Sequence, residues 1–270
     1  MEPRPVRIAL RISAAAVMLF LYLPLAVIVL YAFSSSRIPG WPITHYSTYW
    51  FRLAYHDPFA RSALEASLTV GLRAAAVALV LGSAAAFALS RFRFFGQNSV
   101  SLLFVLPIAL PGIVTGLSLA STITFLGINR SLWTVVAGHA TFCIVVVYNN
   151  VVARLRRTSA SLEEASADLG AHTWQTTWYV MIPQLRSAMI AGALLAFALS
   201  FDEVIVTTFT AGSTETLPIW ILNNLSRPRN LPIVNVVAVI AVLLSIVPVY
   251  FAQKLTADPV GAPGTTAAAP

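Results

Sequence analysis

Two short stretches of this 270-residue chain place carboxylates where they could do chemistry. In the first, Glu163, Glu164 and Asp168 crowd together just ahead of Gly170. Such a group offers charge-assisted contacts to basic residues on a partner. In the second, Asp202 and Glu203 stand side by side in a long apolar run. An acid deep in a bilayer costs on the order of 2.5–3.5 kcal/mol on insertion scales, so neither is expected to face lipid. Two readings stay open for this pair. A carboxylate here could line a pathway and offset the desolvation of an ammonium group, or it could make a helix–helix hydrogen bond or pair with Arg73. Neighbouring helix residues point about 100° apart, so the two acids do not share one direction.

Other reactive side chains are scattered. His139 and His172 stand isolated from one another in the sequence, which favours packing or capping over metal binding or proton relay. The single cysteine, Cys143, lies in an apolar run and cannot form an intrachain disulfide. No Ser/Lys dyad, paired His/Asp set or metal motif is present, so a membrane-embedded enzyme has nothing to work with. A G-x-x-x-x-G-K-[ST] loop is also missing, and ATP phosphates are not expected to bind to this chain.

The composition dictates the solvent that these residues meet. Hydrophobic residues make up 58% of the chain and charged residues 10%, with a mean hydropathy of +0.79. Soluble domains carry roughly 25% charge because their surface faces water. The net charge of +7 comes from 17 basic residues, all arginine except Lys254. No basic run with interleaved aromatics marks a nucleic-acid surface, and arginines at the ends of apolar runs fit cytoplasmic loops and anionic headgroups.

A spanning helix needs roughly 20 apolar residues. Six stretches qualify: about Ile12–Phe33, Ala63–Ser90, Ser99–Leu126, Leu132–Ala153, Ser187–Ala211 and Val234–Leu255. The expected fold is therefore all-α and integral to the membrane. The first stretch is longer than a signal-peptide core and reads as a retained helix. Pro107 and Pro111 should kink the third, which is expected in the interior. Small residues at 82–86 in the second and at Gly192 and Ala193 in the fifth mark faces of close helix approach.

Arginine bias sets the orientation. With the N-terminus inside, Arg4, Arg7, Arg11, Arg91, Arg93, Arg154, Arg156, Arg157, Arg186 and Lys254 fall on the cytoplasmic side. Both termini are then cytoplasmic. The expected organisation is a first segment over 1–33, an outer aromatic connection over 34–62, a core over 63–257 and a disordered tail over 258–270. The outer connection holds Trp41, Tyr46, Tyr49, Trp50, Phe51 and Tyr55, a set suited to the bilayer interface. Residues 212–233 could form a short external helix or a partner surface.

The connection over 154–186 is far longer than two neighbouring helices require. Ser161-Leu162-Glu163-Glu164 fits a capping box, with Ser161 and Glu164 as the reciprocal pair. A short helix should run from there to Leu169, and Gly170 supplies the backbone for a sharp turn. A second amphipathic piece, Thr173 to Met181, is expected to stop at Pro183. The product is a helical elbow in the cytoplasm between the fourth and fifth spans; a loop resting on headgroups would suit its aromatics equally well.

The run Glu164-Ala165-Ser166-Ala167-Asp168-Leu169-Gly170-Ala171, with Ile182-Pro183 beyond it, resembles the "EAA…G…I-x-L-P" loop of permeases in binding-protein-dependent ABC importers. Ser166 replaces the second alanine, and Gln184 follows Pro183 where the motif's leucine precedes its proline. The segments 106–114 and 200–209 look like the second permease of spermidine/putrescine-type systems.

That resemblance implies a permease subunit in a bacterial inner membrane, moving a cationic polyamine by alternating access. Phosphonate or iron are alternative cargoes. The implied partners are a second permease, two ATPase copies carrying ATP and Mg, and an external substrate-binding protein. Glu163, Glu164, Ala165, Ala167, Asp168, Gly170, Ala171 and Pro183 would form the joint with the ATPase; Asp202 and Glu203 stay candidate pathway residues on the first of the two readings given above, which the resemblance does not decide. A self-contained secondary transporter or channel would leave the patterned elbow unexplained.

Overall fold

The computed structural model describes residues 4–92, 95–159, 161–227 and 230–256. Arg93, Pro228, Arg229 and the tail over 258–270 lie outside the described residues. Helix accounts for the regular structure, in the order α1 (Arg4–Ala32), α2 (Tyr49–His56), α3 (Pro58–Arg91), α4 (Gln97–Ala109), α5 (Gly112–Phe125), α6 (Leu132–Leu155), α7 (Ser161–Asp168), α8 (Thr173–Gln175), a π-helical turn (Thr176–Met181), α9 (Ile182–Phe201), α10 (Ile205–Thr210), α11 (Leu217–Leu225) and α12 (Leu231–Thr256). Among the described residues, five stretches are long and apolar enough to cross a bilayer: Arg4–Ala32, Pro58–Arg91, Leu132–Leu155, Thr173–Phe201 and Leu231–Leu255. The fold is all-α and membrane-spanning. The chain divides into two compact units, one of 1–64 with 219–244, the other of 65–218 with 245–270.

In the first unit, α1 exposes apolar side chains over most of its length, which suits lipid. The aromatic connection after it is an ordered clasp. Ser34 and Tyr46 form an isolated bridge, and the buried Trp50 donates its indole N–H to the Ser34 carbonyl at 2.8 Å. Asp57 begins α3: its Oδ1 accepts the N–H groups of Phe59 and Ala60, both at 2.9 Å, while Pro58 takes the first helical position. An aspartate cap followed by proline satisfies orphan donors without wasting one. Residues 217–225 form the short helix expected beyond the fifth span.

The second unit has a core shared by α3, α6 and α9 in which alanine and valine predominate. A Cβ added at Gly82 of α3 would lie 2.8 Å from the Ile144 carbonyl of α6. One added at Gly192 of α9 would lie 3.1 Å from Val147 Cα. Both glycines sit where backbones nearly touch, the packing that small residues permit between membrane helices. Ser131 starts α6 with a reciprocal cap, its N–H donating to Thr134 Oγ1 at 2.8 Å.

Two expected single spans are divided. The 99–126 stretch forms α4 and α5 instead of one kinked helix. Pro111 is the cause: the residue before a proline is pushed out of the helical region, and Leu110 has φ −78° and ψ 142°. Burial on α5 is confined to Gly116 and Ala120, while Ile113 and Leu117 are exposed; Val100, Phe104 and Leu119 of this stretch pack against the core. The 187–211 stretch breaks after Phe201 and resumes as the six-residue α10.

Candidate functional site

The elbow begins at Ser159. Its hydroxyl accepts the Ser161 N–H at 3.3 Å and lies 2.7 Å from the Ser161 hydroxyl. The expected capping box on Ser161 and Glu164 therefore does not form; Ser161 is already inside α7, and capping passes to the serine upstream. Glu163 and Glu164 do occupy the first turn, at the positive end of the helix dipole.

At its far end α7 closes in a Schellman motif. Ala171 N–H donates to the Ser166 carbonyl at 3.1 Å and Gly170 N–H to that of Ala167 at 2.8 Å, with Gly170 at φ +82°. The left-handed backbone is why glycine stands there. Nothing lies within 4 Å of the Cβ position, so the turn is open to solvent.

The returning arm departs from expectation. Thr173 to Met181 continues into α9 without a stop at Pro183, giving one helical path from Thr173 to Phe201. The π-helical turn absorbs the proline: Ile182 N–H reaches back five residues to the Thr177 carbonyl. The turn widens just before Pro183, which lacks the N–H that a continuous α-helix would use and whose ring would crowd the preceding turn.

Two contacts tie the arms together. Ser166, the residue that departs from the alanine of the motif, places its hydroxyl 3.0 Å from that of the buried Thr176. Arg91, at the end of α3, pairs with Glu163 at 2.6 Å and reaches Thr177 Oγ1 at 3.5 Å. One guanidinium thus touches both arms, beside a cavity of about 640 Å³ that Arg91, Glu163, Arg156 and Met181 help to line. Glu163 is satisfied within the chain. Glu164, Ala165, Ala167, Asp168, Gly170 and Pro183 are exposed, and Ala171 is half-buried. Trp174 and Trp178 stack at 5.6 Å on the exposed surface. His172 precedes α8, its N–H donating to Gln175 Oε1 at 2.9 Å, a capping position.

The second acidic pair lies at the break between α9 and α10. Asp202 follows the last turn of α9 and is exposed. Glu203 is half-buried, and its Oε1 accepts the Val206 N–H at 3.0 Å, so it caps α10. Arg73 pairs with neither; it lies over the Trp133 ring at 4.6 Å. The two acids are separated in role, Glu203 capping a helix and Asp202 presented to the surroundings.

Sequence reasoning missed the environment of His139. It is buried, with Nδ1 2.7 Å from Ser200 Oγ and Nε2 2.8 Å from Thr207 Oγ1, linking α6 to both sides of the break. Those partners are 61 and 68 residues away, so helical spacing carried no signal. The Arg91–Glu163 pair was invisible for the same reason.

A membrane-spanning all-α chain with a projecting elbow and a broken, acid-bearing helix has the build of a transporter's translocation subunit. Residues 78–258 match the model for "Binding-protein-dependent transport system inner membrane component", and the chain belongs to that family. It is 35% identical over 231 residues to the putrescine transport system permease protein PotI of Escherichia coli (strain K12), covering 81% of this chain and 80% of that one. It is 34% identical over 245 residues to the spermidine/putrescine transport system permease protein PotC of the same strain, covering 90% and 92%. A putative 2-aminoethylphosphonate transport system permease protein, PhnV of Salmonella paratyphi A (strain ATCC 9150 / SARB42), is 32% identical over 80% of this chain and 82% of that one. In fold, the chain is similar to the crystal structure of a bacterial ABC transporter involved in the import of alginate. The TM-score is 0.72 at 18% identity, over 94% of this chain and 98% of that one.

Proposed function

We propose that this permease carries a cationic polyamine such as putrescine or spermidine across the bacterial inner membrane, driven by ATP that a partner subunit binds with Mg. The observation that carries the cargo class is Asp202. It is exposed at a helix break within an apolar stretch, and no hydrogen bond or ion pair engages its carboxylate among the described residues. A lone carboxylate there suits a passing ammonium group, which it can compensate without a metal. Glu203, occupied as a cap, is at most a neighbour of the path. The putrescine and spermidine systems to which the relatives PotI and PotC belong support the same class.

Coupling enters through the elbow. Ala165, Ala167, Gly170 and Ala171 allow close backbone approach, and Glu164 and Asp168 face basic residues of the ATPase. Glu163 acts within the chain, holding α7 to α3 through Arg91. The complex contains a second permease, two ATPase copies and an external binding protein, and both termini of this chain are cytoplasmic.

The likeness to PhnV favours a second cargo, an aminophosphonate, which also carries an ammonium group. Purification of the tagged permease tests the assembly: a Walker-A ATPase and a second permease should accompany it. Calorimetry on the cognate binding protein separates the cargoes, since the polyamine reading requires putrescine or spermidine to bind far more tightly than 2-aminoethylphosphonate. The reverse order would move the assignment to the aminophosphonate.

A further inference from the structure

α10 has only six residues, too few to be stable alone, yet it is anchored at both ends. Near its C-terminal end the Thr134 hydroxyl of α6 lies 2.8 Å from the Thr210 carbonyl. Along its length its side chains pack onto glycines of two other helices. A Cβ added at Gly116 of α5 would lie 2.6 Å from Phe209, and one added at Gly138 of α6 would lie 3.0 Å from Val206. At its N-terminal end stands His139, between the last turn of α9 and the first of α10, with both ring nitrogens engaged.

The directions of these hydrogen bonds follow from counting hydrogens. The Thr207 hydroxyl has one, and the Glu203 carbonyl lies 2.7 Å away to accept it. Thr207 Oγ1 must therefore accept from His139, which places a proton on Nε2. In the neutral ring Nδ1 is then an acceptor, and the Ser200 hydroxyl donates to it. The chain of bonds runs from Ser200 through His139 and Thr207 to the backbone of Glu203, a residue of the break itself. The Glu203 carboxylate closes the loop on Val206 N–H. A leucine at 139 would fill similar space, but it would not determine the angle at which α9 and α10 meet. Satisfied buried polar networks specify geometry in that way.

We propose that His139 is the positioning residue of the translocation pathway: by joining Ser200 to Thr207 it fixes the break at 202–204 and so sets where the Asp202 carboxylate stands. The importance of that placement for cargo rests on the pathway reading of Asp202 given above.

The test uses the assembled importer in proteoliposomes, with Cys143→Ser as background. Asp202→Cys then reports on the break through its rate of modification by a small cationic methanethiosulfonate, and Leu169→Cys on the exposed elbow is the control site. Thr207→Val removes one hydroxyl at nearly constant volume, and His139→Leu removes the whole hub. Each should change the rate at 202 by about tenfold, the size expected from one lost buried hydrogen bond, and leave the rate at 169 unchanged. His139→Gln, which keeps a donor for Thr207, should restore most of the original rate. In chains that retain Asp202, Thr207→Val should lower putrescine uptake while ATP hydrolysis continues.

An unchanged rate at 202 in both Thr207→Val and His139→Leu overturns the proposal. So does loss of assembly in Thr207→Val, because the network would then serve folding alone. A changed rate at 202 with undiminished putrescine uptake upholds the positioning role and refutes the pathway reading of Asp202.

Discussion

Two of the interruptions in the helices of the second unit follow opposite rules. At the elbow, α7 turns through Gly170 into solvent, with charged and small residues exposed and two tryptophans stacked on the surface. At the break between α9 and α10, Ser200, Thr207 and Thr210 are all buried, and their hydroxyls are hydrogen-bonded within the chain. The elbow is held by few internal contacts, chiefly Arg91–Glu163 and Ser166–Thr176. The elbow leaves Glu164 and Asp168 exposed, as the docking proposed above requires. The break needs no partner to hold its shape, because a membrane interior has no water to satisfy loose backbone groups.

Changes that set these two joints against each other should differ in size and in kind. The largest effect is expected at Gly170. Gly170→Trp should abolish uptake, while immunoblots of the membrane fraction show normal insertion. Gly170→Ala meets no atoms at the Cβ and should cost only the left-handed strain, about 1–2 kcal/mol. Survival of uptake and ATPase stimulation in Gly170→Trp would break the comparison, because the elbow would not be a docking joint.

Next in size is the acidic pair. Asp202→Asn should lower polyamine uptake about tenfold or more, as expected when a charge-assisted contact worth roughly 1.5–3 kcal/mol is lost. Glu203→Gln keeps an oxygen for Val206 N–H and should stay within a few-fold of the parent. Equal losses in the two would erase the distinction between a pathway acid and a capping acid.

Gly82→Ala acts on stability. Its methyl would meet backbone at 2.8 Å, where nothing flexible can move aside, so about 1–3 kcal/mol of destabilisation is expected. Thermal unfolding in detergent should show a lower midpoint, with uptake per folded molecule unaltered. The smallest effect belongs to Arg91 and Glu163, both partly exposed, for which about 0–1 kcal/mol is the appropriate scale. Arg91→Glu should reduce coupling of ATP hydrolysis to uptake modestly, and the exchange Arg91→Glu with Glu163→Arg should recover it. No recovery would mean that the pair does not hold the elbow to α3.

Much of this was legible before any coordinates. Apolar runs located the membrane helices because their length is imposed by the bilayer. Glycine before Ala171 announced the turn, and the structure has it at φ +82°. Small residues at 82 and 192 announced close approach, and backbones meet there. Local patterns erred where a neighbour or a proline decided the outcome. Ser161 had every feature of a cap, but Ser159 took the position. Pro183 looked like a stop, and a π-helical turn carried the helix through it. The third span, expected to kink at its prolines, divided fully at Leu110–Pro111, and the fifth, expected to be continuous, broke after Phe201.

The sequence by itself determined the solvent, the helical class, the family's loop and the residue types of both joints, since these depend on composition and on contacts a few residues apart. Only the tertiary structure decided which polar groups meet. His139 finds Ser200 and Thr207, and Arg91 finds Glu163, because helices distant in the chain pack side by side. Buried polar groups must pair, but the rule does not say with which residue. That choice is made by the packing of α3, α6, α9 and α10, and it leaves Glu203 as a cap and Asp202 exposed at the break.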